Sequence, residues 1–244
     1  MSARLLAGTT RRILRQLQHD HRSAALVLIM PVVLLTLVYF MWEDQPQFDR
    51  IALVLLGVFP LTIMFLLTNI SVLRERTTGT LERLFTTPIN KLDVLFAYGA
   101  AFGLAAALQA AVAGAYAHWV LGMAAPGGLG LVILIAFANA LLGVSLGLLC
   151  SAFARTEFQA AQFMPLVILP QLLLCGLFVP RAQMASWLEA LSALMPMSYA
   201  VEALMEVGTN AEPTGTMWRD LAVVACVTVA ALVLGALTLR RRTP

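Results

Sequence analysis

Six long runs contain no Asp, Glu, Lys or Arg: residues 24–42, 51–73, 94–123, 128–154, 160–179 and 221–239. Each reaches the ~20 residues that an α-helix needs to cross the hydrocarbon of a bilayer. In lipid an unpaired backbone amide costs several kcal/mol, so such runs cross as helices, which satisfy their backbone groups internally. The fold class this predicts is an all-α integral membrane protein with six transmembrane helices. Charged residues are only 12% of the chain and cluster between the runs, which excludes a soluble globular domain. Pro31, Pro60, Pro165 and Pro170 fall inside the runs. Membrane helices tolerate such breaks, and they mark places where a span can kink.

The second and third runs are separated by a stretch of different character, residues 73–93. It carries seven charges, Arg74, Glu75, Arg76, Glu82, Arg83, Lys91 and Asp93. Burying all seven at the centre of a membrane costs on the order of 20 kcal/mol, so the stretch stays in water or at the lipid surface. Leu81, Leu84, Phe85, Ile89 and Leu92 nevertheless recur with the spacing of one helix face. Gly79 precedes that pattern and Pro88 limits it, which predicts a short amphipathic helix at about 75–90. By pattern alone it is equally an interfacial helix resting on headgroups.

Orientation follows from counting cations. With the N-terminus inside, 13 of the 16 Lys and Arg residues lie on the cytoplasmic side, and only Arg50, Arg181 and Arg219 lie outside. An even number of spans returns the arginine-rich C-terminus to the same side. Residues 1–23 read as an amphipathic cytoplasmic helix, with Leu6, Ile13, Leu14 and Leu17 among Arg4, Arg11, Arg12, Arg15 and Arg22. The segment lacks the apolar centre of a cleavable secretion signal. Residues 24–244 then form a single six-span domain. Between its fifth and sixth runs, residues 181–218 are too broken to span. Trp187, Leu188, Leu191, Leu194 and Met195 have helical spacing until Pro196, and a second short helix is predicted over 198–207. The pair either dips into the membrane from outside or lids a pathway, or it is a surface loop anchored by Trp187 and Tyr199.

The run Arg74-Glu75-Arg76, then Gly79-Thr80-Leu81-Glu82-Arg83-Leu84 with Phe85, then Thr87-Pro88, resembles the cytoplasmic coupling-helix signature of type-2 ATP-binding-cassette exporter permeases, of the daunorubicin-resistance and nodulation-factor export kind. A second motif, Gly176-Leu177-Phe178-Val179-Pro180, then Trp187-Leu188, then Pro196-Met197-Ser198-Tyr199-Ala200, is similar to the re-entrant outer segment of the same family. The chain departs from the family where Ser186, and not a proline, precedes Trp187. The resemblance implies that Glu75, Arg76, Gly79, Thr80, Leu81, Glu82, Arg83, Leu84, Phe85 and Pro88 couple the spans to an ATPase, and that residues 181–210 are the outer re-entrant segment. It implies as partners two separate ATP-binding-cassette ATPase subunits and a second permease copy or homologue. ATP and Mg would be bound by the ATPase partner, with no cofactor on this chain.

Other chemistries fit less well. A phosphate-binding loop needs Gly before its Lys, yet the sole lysine, Lys91, follows Asn90. Gly143-Val144-Ser145-Leu146-Gly147 matches a nucleophile elbow in pattern, but it lies in an unbroken helical run and His118 is the one histidine in any apolar run. Gly143 with Gly147, and Gly99 with Gly103, fit better as small-residue faces for close helix packing. Cys150, Cys175 and Cys226 sit in separate apolar runs and read as buried apolar residues, and no HExxH metal motif occurs. No basic stretch has the aromatic interleaving of a nucleic-acid binder. The missing mid-span carboxylates argue against an ion-coupled carrier.

The polar residues within the runs, Thr62, Thr68, Asn69, Gln109, Asn139, Gln162 and Gln171, read first as bonds between helices. The family resemblance places its second and fifth spans near the pathway, which singles out Asn69, Gln162, Phe163 and Gln171 as lining candidates. Together these readings describe the permease subunit of an ATP-driven exporter in a bacterial plasma membrane, moving a hydrophobic or amphipathic drug or lipid. Export of a polysaccharide or glycolipid by the same family, an ion-coupled transporter and an intramembrane serine protease are the alternatives.

Overall fold

The computed structural model describes residues 3–42, 47–79 and 91–238. Among these residues the chain forms nine α-helices: α1 (Ala3–His19), α2 (His21–Met41), α3 (Gln47–Thr77), α4 (Lys91–Trp119), α5 (Leu129–Ser151), α6 (Glu157–Leu174), α7 (Ser186–Ser192), α8 (Pro196–Thr209) and α9 (Gly215–Thr238). A single 3-10 turn, Arg181–Gln183, lies before α7. Five of the helices, α3, α4, α5, α6 and α9, are long and apolar enough to cross a membrane. The run expected as a sixth crossing forms α2, whose apolar part, Ala25–Met41, is slightly shorter. Pro31, Pro60, Pro165 and Pro170 are all carried inside continuous helices.

α3 is the hub of the bundle and packs against α2, α4, α5, α6 and α8. Of its most apolar stretch 67% is buried, against 22% in α6 and 17% in α9, so α6 and α9 lie at the periphery. The tightest seam is α3 on α5, and glycine makes it. A Cβ at Gly143 would stand 2.3 Å from the Leu61 carbonyl oxygen, and one at Gly147 would stand 2.6 Å from that of Phe65. Real side chains do not approach backbone so closely, so only hydrogen fits at either position. The predicted packing role of Gly143 and Gly147 is therefore what the fold uses. The second glycine pair differs. Gly103 meets Leu141 of α5, while Gly99 has nothing within 4 Å of its would-be Cβ.

Side-chain amides bond the helices to one another. Asn139 of α5 donates to the Gly57 carbonyl of α3 (2.7 Å), and Asn69 of α3 donates to the Ala160 carbonyl of α6 (2.9 Å). Thr36 of α2 shares a hydrogen bond with the Tyr116 hydroxyl of α4 (2.7 Å). Gln171 bridges α6 to α8, its side-chain oxygen accepting from the Met197 N–H (3.3 Å) at the start of α8.

The chain breaks between α7 and α8 where Pro196 was expected to interrupt it. Pro196 takes the first position of the new helix, where its missing N–H leaves no bond unmade. Ser192 and Ser198 both donate to the Leu174 carbonyl, at 2.9 and 3.3 Å, which pins this turn to the end of α6. The bundle thus has two distinct ends. One gathers α1, the end of α3, the end of α5 and the start of α6. The other gathers the start of α3, α7, α8 and the start of α9.

Candidate functional site at the end of α3

The charged stretch expected to leave the membrane as a separate helix instead begins as an extension of α3. The helix continues through Arg74, Glu75 and Arg76 to Thr77, and Leu73 is buried. Cations in a last turn are favoured by the helix dipole. The extension has a more specific cause, because three consecutive side chains grip three different parts of the bundle. Successive residues on a helix point about 100° apart, so they fan out around its axis.

Arg74 forks onto Glu157 at the start of α6, with Nε to Oε1 at 2.7 Å and Nη2 to Oε2 at 3.1 Å. Glu157 follows Thr156, whose hydroxyl caps α6 by accepting the Gln159 N–H at 3.2 Å. A carboxylate in a first helical turn also complements the dipole. Glu75 turns the other way. One of its oxygens, Oε2, accepts from Arg12 Nη2 of α1 (2.9 Å) and from the Tyr98 hydroxyl of α4. Arg76 donates through Nη1 to the Ser151 carbonyl, at the last turn of α5. Helix C-terminal carbonyls have no partner within their own helix, so this guanidinium satisfies one of them.

These grips differ in environment. The Arg74 and Glu157 side chains are 56% and 53% exposed, whereas Glu75 is only 13% exposed and Arg12 33%. A wet pair contributes at most about 1 kcal/mol. A sheltered carboxylate with two donors holds its neighbours more firmly, at roughly 1.5–3 kcal/mol for a hydrogen bond to a charged group. Glu75 is therefore the strong joint, and it ties α1 and α4 to α3.

α3 ends at Thr77, and the chain turns away from it at Gly79, which adopts φ +71°. That left-handed conformation is costly for residues with a Cβ and is the usual way a chain leaves a helix. Directly beyond it lie Thr80, Leu81, Glu82, Arg83, Leu84, Phe85 and Pro88, the remainder of the predicted coupling helix, which are outside the described residues. Glu75, Arg76 and Gly79 are thus placed at the root of that segment.

Of the lining candidates, Asn69 and Gln171 are buried and bonded between helices as described above. Phe163 is partly buried against the core. Gln162 is exposed, on a stripe of α6 that includes Phe158, Pro165, Leu166, Leu169 and Leu173. At the other end of the bundle Trp187 is exposed on α7, and the Tyr199 hydroxyl donates to the Ala193 carbonyl (2.8 Å). Ser145 lies within α5 and donates to Leu141 one turn back (2.8 Å), and a His118 ring nitrogen contacts the Met123 carbonyl (2.9 Å). Both groups of the alternative protease reading are thus bonded to local backbone.

Arg12, Tyr98 and Glu157 are the junction residues that reasoning from sequence did not single out. For Glu157 a signal was present: Thr156 and Gln159 have the spacing of a helix-start capping box. For Arg12 and Tyr98 there was none, since each is selected only by the tertiary contact.

Comparison with known proteins supplies the family. The family profile described as "ABC-2 type transporter" matches residues 4–207. The chain is 25% identical over 158 residues to "Probable multidrug ABC transporter permease YbhR" of Escherichia coli strain K12, covering 65% of this chain and 43% of that protein. It is 27% identical over 143 residues to "Probable multidrug ABC transporter permease YbhS" of the same organism, covering 58% and 38% respectively. It is 26% identical over 141 residues to "ABC transporter G family member 20" of Dictyostelium discoideum, covering 58% of this chain and 19% of that protein. The chain thus matches less than half the length of these relatives. With a profile match over most of its length and five helices long and apolar enough to cross a membrane, this chain belongs to the ABC-2 type transporter family.

Proposed function

We propose that the chain is the permease subunit of an ATP-driven exporter in a bacterial plasma membrane, energised by separate ATPase subunits that dock on the segment following Gly79. One observation carries the reading. In a chain of this family, the last turn of the most buried helix grips α1, α4, α5 and α6 at the root of that segment. A displacement delivered there is passed to four helices at once.

In this reading the Glu75 end of the bundle faces the cytoplasm, in accord with the 13-to-3 distribution of cations. α2 serves as the first of six spans, and both termini are cytoplasmic. The stripe on α6 supports pairing with a second copy or homologue. A span with a glutamine and two prolines on its open face is better covered by protein than by lipid alone. The cargo passes between the two copies along that face. Its apolar side chains suit a hydrophobic or amphipathic compound, and the names of the bacterial relatives are consistent with a drug-like cargo. Leu81, Leu84 and Phe85 supply the apolar contact with the ATPase, while Glu82 and Arg83 orient it.

The test is reconstitution with the ATPase partner. Reversing Glu82 and truncating Phe85 together (Glu82→Arg, Phe85→Ala) leaves membrane insertion intact and abolishes ATP-driven efflux. Undiminished efflux by the double variant refutes the coupling role.

A further inference from the structure

The three arginines that break the cation bias of the sequence, Arg50, Arg181 and Arg219, all line one cavity of about 670 Å³ at the end of the bundle opposite Glu75. It is bounded by the start of α3, the connection from Cys175 to Arg181, and helices α7, α8 and α9. Cations on the outer side of a membrane protein run against the usual bias, so three in one cavity call for a cause.

Two of them are held in an ion-pair chain. Arg181 donates through Nη1 to Glu202 of α8 and stacks over the Tyr199 ring at 5.4 Å. Arg219 donates twice to Asp220 Oδ1, at 2.9 and 2.7 Å, and stands 3.8 Å from the second Glu202 oxygen. Asp220 is fully buried. This chain of charges ties the connection before α7 to α8 and α9.

Arg50 differs. Among the described residues it has no ion-pair partner, and the carboxylate next to it in sequence, Asp49, accepts from the Ala124 N–H (3.0 Å). Glu189 of α7 lines the same cavity and likewise has no ion-pair partner among the described residues. The cavity therefore offers one uncommitted cation and one uncommitted anion. Its remaining wall includes the apolar side chains of Val201, Met205 and Val223.

We infer that this cavity binds an amphiphile with a zwitterionic head, its anionic group on Arg50, its ammonium near Glu189, and its apolar chain along Met205 and Val223. The inference narrows the cargo class of the proposed function, and it applies equally to a zwitterionic lipid of the outer leaflet. Binding is measured on the purified permease without any ATPase, so its failure leaves the coupling reading untouched.

The probes are lysophosphatidylethanolamine, which carries both charges, lysophosphatidylglycerol, which carries only the anion, and free phosphoethanolamine, which lacks the chain. Wild-type protein binds the first most tightly and the chainless probe least. Arg50→Ala weakens both lysolipids by about tenfold, the scale of one charge-assisted hydrogen bond. Arg50→Lys retains most of the affinity, which separates the charge from any general disturbance. Glu189→Gln weakens only lysophosphatidylethanolamine. Unchanged binding by Arg50→Ala, or equal losses for both lysolipids in Glu189→Gln, overturns the proposal. With the ATPase added, ATP-driven movement of the bound probe marks the amphiphile as cargo. Retention marks it as a resident lipid, and the site stands in either case.

Discussion

Removing the Glu75 carboxylate provides the sharpest test of the junction. Its Oε2 receives both the Arg12 guanidinium and the Tyr98 hydroxyl, so one atom holds three helices together. Glu75→Gln keeps an acceptor at that position but loses the charge. It costs about 1–1.5 kcal/mol, the difference between a charge-assisted and a neutral hydrogen bond. Glu75→Ala loses both contacts and leaves Arg12 without its partner. With Arg12 one-third exposed, water recovers part of this, and the net cost is about 3 kcal/mol. Tyr98→Phe removes one donor, for about 1 kcal/mol. The assay is a double-mutant cycle on Arg12→Ala and Glu75→Ala by denaturant unfolding in micelles, run beside ATP-driven transport in proteoliposomes. The two residues show a coupling of about 1 kcal/mol or more, within the range for residues sharing one network. In transport, Glu75→Gln lowers turnover more than it lowers ATP hydrolysis, since the joint that passes the stroke is slackened and the ATPase is not. Additive effects of Arg12→Ala and Glu75→Ala, or full transport by Glu75→Ala, would refute the reasoning.

Other expectations follow from the packing. Gly143→Ala forces a Cβ to within 2.3 Å of the Leu61 carbonyl oxygen and costs several kcal/mol, roughly 1–3 if the seam yields. Gly99→Ala, with nothing within 4 Å, is neutral or gains ~0.5–1 kcal/mol of helix propensity, and thermal unfolding of the two variants side by side shows the contrast. Gln109 is fully buried on α4 with neither side-chain polar atom bonded among the described residues. Gln109→Leu therefore raises stability, by about 1 kcal/mol, and an unchanged or lowered midpoint contradicts that account. Arg74→Ala breaks the half-exposed pair with Glu157 and costs less than about 1 kcal/mol, an effect that shrinks further as salt is added.

The long helices were legible because they are written locally: an uncharged apolar run of sufficient length has few other folds. The break at Pro196 was legible for the same reason, as a missing N–H acts at its own position. Glycine patterns were legible only in part. Gly143 with Gly147 and Gly99 with Gly103 have the same spacing, yet only the first pair lies wholly against a neighbour, because spacing places residues on a face without saying what the face meets. The extension of α3 to Thr77 was missed because a string of charges marks the end of an apolar span, and the start of a separate helix, until its partners are known. Arg12 lies 63 residues from Glu75, and Tyr98 lies 23 from it, distances over which periodicity carries no information. The polar residues of the spans were ambiguous for a related reason. Asn69 and Gln171 proved to be bonded between helices while Gln162 is open, and nothing in the residue type distinguishes those outcomes.

The two sites gain meaning from the helix that joins them. α3 has Arg50 near one end and Glu75 near the other, and over its 31 residues it is ~45 Å long. Gly143 and Gly147 lock it to α5, so these two helices move as one body. α6 and α9 are the least buried of the spanning helices, and they also carry the exposed stripe and the wall of the charged cavity. Rigid elements transmit displacement, and loosely packed ones respond to it. In the proposed function, a push at the Glu75 end reaches the Arg50 end through the α3–α5 pair, while α6 follows through Asn69 and Arg74. Of those two links the Asn69 bond is buried and the Arg74 pair is wet, so Asn69 carries the larger share. Under the proposed function, a stroke delivered at the Glu75 end is carried toward the charged cavity by this central pair without either of its helices having to bend.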